Sequence, residues 1–163
     1  MNHNNKLYIE LLTDTARIPT VAHVGDAGMD FYADEDITLA PGDVAVISTG
    51  IKMAIPTGYY LDLRPRSGIS KNFPNYIANA PGTIDSTYRG EIKVMVVNNS
   101  RNDYLKIVKG FKICQGIVLE YNYFNLKIVD TLDDTDRGSD GFGSSGYYAT
   151  ELDIYSINNN EVN

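Results

Sequence analysis

Three stretches of the chain gather side chains capable of chemistry. The densest is Pro81-Gly82-Thr83-Ile84-Asp85-Ser86-Thr87-Tyr88-Arg89-Gly90-Glu91, which sets a carboxylate, an aromatic ring and a cation between two apolar segments. A carboxylate at neutral pH can take a proton, and glycines let a ligand approach the main chain. The stretch reads as a β-hairpin-like excursion bracketed by Gly82 and Gly90, with Asp85 and Tyr88 near its tip. Taken alone, it is more readily a plain hairpin whose Asp and Tyr cap a turn and cover a core edge. Arg66-Ser67-Gly68 offers a guanidinium, a hydroxyl and a helix N-terminus, a combination suited to phosphate oxygens and equally found in ordinary turns. Arg137-Gly138-Ser139-Asp140-Gly141-Phe142-Gly143-Ser144-Ser145-Gly146 holds four glycines and three serines beside one Arg and one Phe. Such a strip can wrap phosphates and lay a ring on another ring, or it can be a linker. Of the six arginines, Arg64, Arg66, Arg89 and Arg137 lie in or beside these stretches, which favours a phosphorylated ligand.

The rest of the composition narrows the class. A chain of 163 residues with 43% apolar and 21% charged residues fits one globular domain with a substantial core. The net charge of −7 argues against a general affinity for nucleic acid or anionic membrane, so a polyanionic ligand must be met by local positive charge. Met1 to Lys6 is polar and no apolar run has the length of a membrane span, so the expectation is a cytoplasmic protein with neither leader nor anchor. The single Cys114 agrees with a reducing compartment, and His3 and His23 stand too far from other ligands to build a His/Cys metal cluster.

Elements that could position these residues are short and of period two, spaced as in a sandwich or barrel, so the fold class is all-β. Strands are expected over Leu7–Leu11, Phe31–Ala33, Ile37–Leu39, Val44–Ser48, Ile51–Ile55 and Tyr59–Leu63. Further strands are expected over Ile92–Val96, Tyr104–Val108 and Phe111–Leu119. Ser67 is placed as the cap of one helical turn that Pro74 stops, the only helix expected. Along the last strand Phe111, Ile113, Gln115, Ile117 and Leu119 alternate, which makes Gln115 a polar residue on an apolar face in need of partners. From Asp133 onward Asp, Gly and Ser dominate. We therefore divide the chain into a β domain, residues 1–132, and a C-terminal arm, residues 133–163, whose last residues, 158–163, read as disordered.

With these motifs in view the sequence resembles the trimeric dUTP pyrophosphatase (dUTPase) family, whose five ordered motifs it carries. Ala27-Gly28-Met29-Asp30-Phe31-Tyr32-Ala33 matches the first and Pro65-Arg66-Ser67-Gly68 the second. Asn79 through Gly90 matches the third, Gly110 through Gln115 the fourth, and Arg137 through Gly146 the fifth. Five matches in order, with the family's spacing, are far more specific than any one of them.

That resemblance implies a jelly-roll-like β domain, a homotrimer with sites shared between subunits, and Mg²⁺-dependent hydrolysis of dUTP to dUMP and pyrophosphate. It implies that Asp85 activates the attacking water, that Tyr88 lies under the deoxyribose, and that Asn79, the main chain of Gly82, Thr83, Ile84 and Asp85, and the strand near Lys93 read the uracil edge. Arg66, Ser67, Gly68 and Gln115 would hold the triphosphate. Arg137, Phe142, Gly143 and Ser144 would close over the nucleotide, and Asp30 would orient waters on the Mg²⁺. The sequence departs from the family pattern at Phe111, usually acidic, Cys114, usually Ala, Thr87, frequently Asp, and Asp140, usually Gly. Other readings are a dCTP deaminase-like enzyme, which would not be expected to carry the Gly-rich fifth motif, and a regulatory nucleotide-binding protein of the same fold. The latter goes with an insert between the fourth and fifth motifs that Ile117 to Thr135 does not show. A structural jelly roll would not need the phosphate motifs.

Overall fold

The computed structural model describes residues 6–142. It contains eleven short strands and one helix: β1 (Tyr8–Leu11), β2 (Met29–Tyr32), β3 (Ile37–Leu39), β4 (Val44–Ser48), β5 (Ile51–Ala54), β6 (Tyr59–Arg64), α1 (Ser67–Asn72), β7 (Asn75–Ile77), β8 (Gly82–Ile84), β9 (Lys93–Asn98), β10 (Leu105–Ile107) and β11 (Lys112–Glu120). The strands pair in antiparallel fashion as β2-β11-β6-β8, β4-β9-β7, β1-β5 and β10-β3, a jelly-roll-like arrangement. No helix among the described residues is long and apolar enough to cross a membrane.

Alternation decides which side chains meet inside. Phe31, Ile47, Ile51, Leu61, Ile92 and Ile107 are fully buried, and Leu39, Met53, Leu63, Val94 and Val96 pack with them in one core. Each such side chain removed from water contributes about 2 kcal/mol before the cost of ordering it. The expected in-facing trio Ile51, Met53 and Ile55 is buried throughout.

Four sequence expectations give way. The stretch around Asp85 is not a hairpin, because β8 pairs with β6 while β9 pairs with β4 and β7; the chain crosses from one sheet to another between them. Gly82 and Gly90 accordingly have no positive φ. Ser67 does not cap α1: Arg66 holds the N-cap position, with no side-chain cap bond, and Ser67 is the first helical residue. Strand β7 follows Pro74 at once and went unread, being three residues long with a polar first position. Finally, Gln115 does not lie on an apolar inner face. A register shift between Lys112 and Cys114 inserts Ile113 as an extra residue, so Ile113 and Cys114 are both buried and the side-chain alternation changes phase.

An N-terminal clasp fixes the start of the fold. The buried Asp34 carboxylate accepts hydrogen bonds from the Thr13 and Thr15 hydroxyls, the latter at 2.7 Å, and Lys109 Nζ lies 3.8 Å from it. Gly50, at φ 67°, passes so close that a Cβ there would sit 2.6 Å from the carboxylate. Burial pushes the Asp34 carboxyl up, but the two hydroxyls and the Lys109 charge outweigh it and hold it below the ordinary range.

The chain divides into two compact units between Tyr123 and Phe124, nine residues before the boundary at 132/133 that composition suggests. In the second, Arg137 donates from Nε to the Asp140 carbonyl at 3.0 Å, and Phe142 is fully exposed. Gly143, Ser144 and the tail, residues 158–163, lie outside the described residues, as do the opening residues 1–5.

Candidate active site

Strand pairing brings most of the singled-out residues to one face. In the β2-β11-β6-β8 sheet, directly opposed residues share a side: Asp30, Gln115 and Arg64 form one row, Ile117, Asp62 and Thr83 the next, and Leu119 and Tyr60 a third. The alternate residues Phe31, Gly116, Leu61 and Leu63 face the core. The bulge at Ile113 makes this possible, since residues three apart on a regular strand point to opposite sides. It turns both Lys112 and Gln115 toward Asp30.

Two clefts open on this face and share no lining residue. One, about 440 Å³, is lined by Asp30, Arg66, Ser67, Gly68, Gln115 and the loop from Ala22 to Gly28. Asp30 is buried and held by two cations, with Arg66 Nε 2.6 Å from Oδ1 and Lys112 Nζ 2.7 Å from Oδ2. Gln115 donates from Nε2 to the Pro65 carbonyl at 2.8 Å, which uses one of its two amide N–H groups. A Cβ at Gly28 would stand 2.6 Å from Gln115 Oε1, so glycine is required there by close approach. Cationic, hydroxyl and amide donors converging on an open polar cleft suit a polyphosphate.

The other cleft, about 470 Å³, is lined by Thr83, Asp85, Ser86, Thr87 and the tyrosines Tyr60, Tyr121 and Tyr123. Asp85 is exposed, and its backbone carbonyl accepts from the Tyr88 N–H at 3.1 Å to close the turn. Arg89 is spent on this turn, donating from Nη1 to the Ser86 and Tyr88 carbonyls at 2.7 Å each. Tyr88 donates to the Glu91 carbonyl at 3.1 Å, and its ring lies where a Cβ at Gly90 would be. Glycine at 90 thus makes room for the ring, and glycine at 82 for Asn79, whose amide nitrogen would be 3.4 Å from an added Cβ. Lys93 pairs with Glu91 at 3.3 Å.

Only one of the four arginines grouped by sequence reaches a cleft as a cationic donor. Arg64 is paired with the buried Asp62 at 2.6 Å, Arg89 with carbonyls of its own turn, and Arg137 with a carbonyl of its own unit, leaving Arg66.

The dUTPase family profile matches residues 14–146. The chain belongs to the dUTPase family. Deoxyuridine 5'-triphosphate nucleotidohydrolases of Clostridioides difficile and Leifsonia xyli are similar to it, at 43% identity over 141 residues and 46% over 135; the alignments cover 86% and 83% of this chain and 98% and 89% of theirs. Among solved structures, the Staphylococcus bacteriophage 80alpha dUTPase with dUpNHpp is similar at 30% identity and a TM-score of 0.82, over 88% of this chain and 99% of that one. A dUTPase from phage phi11 of S. aureus, described with a structural Mg(II) ion, is similar at 28% identity and a TM-score of 0.74, over 80% of this chain and 100% of that one.

This dUTPase assembles no metal cage: among the described residues no three His, Cys, Asp or Glu side chains come together to hold an ion. Both oxygens of Asp30 already face cations. The fit is to an ion that arrives with phosphates and keeps its waters, for which Asp30 offers an acceptor through water. Of the departures from the family pattern, Cys114 is fully buried, and desolvation together with the Asp30 charge pushes its thiol up to about 12. Phe111 packs edge-on against Phe73, centroids 5.6 Å apart. Sequence reasoning missed Lys112, whose position beside Asp30 depends on the bulge, and Tyr121, which lies beyond the motifs. The recurrence of tyrosine at 121 and 123, just past an apolar strand, was the available signal.

Proposed function

We propose that this dUTPase hydrolyses dUTP to dUMP and pyrophosphate at sites shared between the subunits of a homotrimer, with Asp85 as the base. The observation that carries the reading is the division of the site residues between two clefts that share no lining residue. Arg66, Ser67, Gly68 and Gln115 line one, Asp85 the other, so a single chain supplies a phosphate clamp to one site and a base to another. A second observation supports assembly. The outer face of the β4-β9-β7 sheet carries Val44, Val46, Met95 and Tyr76 exposed and in cross-strand register, an apolar surface fit for a second copy.

The residues divide the work as follows. Arg66, the Ser67 hydroxyl, the Gly68 main chain and the free Gln115 amide N–H hold the triphosphate, while Asp30 positions Arg66 and accepts from waters around a Mg²⁺ that comes with it. When bound, that ion neutralises phosphate charge. Asp85 takes the proton of the water that attacks the α-phosphorus. Asn79, the strand Gly82–Ile84 and the main chain near Lys93 read the uracil edge, and Tyr88 excludes a 2′-hydroxyl. Arg137, Phe142, Gly143 and Ser144 close over the nucleotide from the arm. The activity limits uracil in DNA and supplies dUMP for dTMP synthesis, and the buried, unpaired Cys114 suits a cytoplasmic protein.

Asp85→Asn tests the assignment. It keeps the shape and cannot take the proton, so dUTP binding should stay near normal while turnover falls about 10²–10⁴-fold. Loss of binding with turnover per bound substrate retained would move Asp85 from chemistry to recognition.

A further inference from the structure

The candidate base is held by very little of its own. No hydrogen bond or ion pair engages the Asp85 carboxylate among the described residues, so its placement depends on the main chain of the turn from Asp85 to Tyr88. Ser86 is the buried residue of that turn, and it is gripped from two directions. Arg89 holds its carbonyl at 2.7 Å, and its hydroxyl donates to the Tyr121 hydroxyl. Tyr121 is in turn fixed at both ends. Its main-chain N–H donates to the Gly58 carbonyl at 3.0 Å, and its hydroxyl shares a 3.2 Å hydrogen bond with Tyr123. Its ring meets those of Tyr123 edge-on at 5.0 Å and Tyr60 at 6.4 Å.

We propose that Tyr121 is a positioning residue for Asp85, acting through the Ser86 hydroxyl to set where the carboxylate stands in the cleft. The chemistry suits the task, because a phenol on a rigid ring can hold a neighbouring hydroxyl at a fixed point, and the turn's remaining side chains, Thr87 and Tyr88, are exposed. The Tyr121 phenol is held below the ordinary tyrosine range by its bonds with Tyr123 and then Ser86, and Tyr123 is pushed above it by Tyr121, as expected of hydroxyls locked in one chain. Three tyrosines beside the base thus form a brace and not a base-stacking platform.

This role rests on Asp85 being the base, so Asp85→Asn is measured in parallel. Tyr121→Phe keeps the ring and removes only the hydroxyl. It should lower kcat on the order of tenfold with KM for dUTP unchanged, because a misplaced base slows chemistry without weakening binding. Ser86→Ala should do the same, the double variant should be no slower than either single one, and adding Tyr121→Phe to Asp85→Asn should cost nothing more. Unchanged kcat in Tyr121→Phe beside an inactive Asp85→Asn would overturn the role of Tyr121 alone. Losses that multiply in the Ser86→Ala double variant, or a further fall in the Asp85→Asn background, would show that Tyr121 does not act through this path. Full turnover by Asp85→Asn would remove the base and this role together.

Discussion

Gly28 shows how a residue without a side chain can specify a site. A Cβ there would collide with Gln115 Oε1, the mobile end of a side chain and not its backbone, so the accommodation falls on Gln115. We therefore expect Gly28→Ala to fold with little loss of stability, to swing Gln115 off the Pro65 carbonyl and to raise KM for dUTP several-fold while kcat changes less. Steady-state kinetics beside a thermal melt check this, and a melt that drops with KM unchanged would contradict it. At this scale the sequence is most informative where a residue type is chemically necessary. Asp85, Arg66, Ser67 and Gln115 stand out by type and neighbours, and each lines a cleft. Lys112 does not stand out, since a lysine between Phe111 and Ile113 reads as a solvated position until the bulge turns it toward Asp30. Arg89 misleads in the opposite sense, because a guanidinium in a Gly-containing turn satisfies the turn's own carbonyls as readily as a phosphate.

Strands were legible wherever they alternate and turn residues close them, as with β3, β4 and β5. Pairing was not. Periodicity reports which face is buried and says nothing about which strand lies alongside, so β8 and β9, separated by a turn, read as a hairpin although they belong to different sheets. The bulge in β11 is hidden for a related reason: Ile113 and Cys114 are both apolar enough to be buried, and one extra residue leaves no mark in composition. β11 also supplies the sharpest test of packing. A Cβ at Gly116 would lie 2.5 Å from Phe31 Cε2 and 2.8 Å from Leu61 Cδ1, both fully buried. Gly116→Ala should destabilise the protein by about 1–3 kcal/mol in chemical denaturation, since neither neighbour has room to retreat. An unchanged midpoint would mean that the core beneath the functional face is looser than the geometry requires.

For the molecule as a whole, the two clefts and the apolar outer face of the β4-β9-β7 sheet make one argument. A chain whose clamp and base do not share a cleft has a use for both only when copies assemble, and the exposed row Val44, Val46, Met95 and Tyr76 gives assembly a surface. None of this division could be read from residue order, because motifs contiguous in purpose are placed on opposite parts of a sheet by strand pairing. The decisive measurement mixes two inactive variants. Asp85→Asn lacks the base and keeps the clamp; Arg66→Ala lacks the clamp and keeps the base. Unfolded together in equal amounts and refolded, they should regain dUTP hydrolysis far above either parent, because about a quarter of the sites would combine an intact Asp85 from one chain with an intact Arg66 from another. Mixed oligomers that demonstrably form and remain as inactive as their parents would contradict it, and would place clamp and base of each site on the same chain.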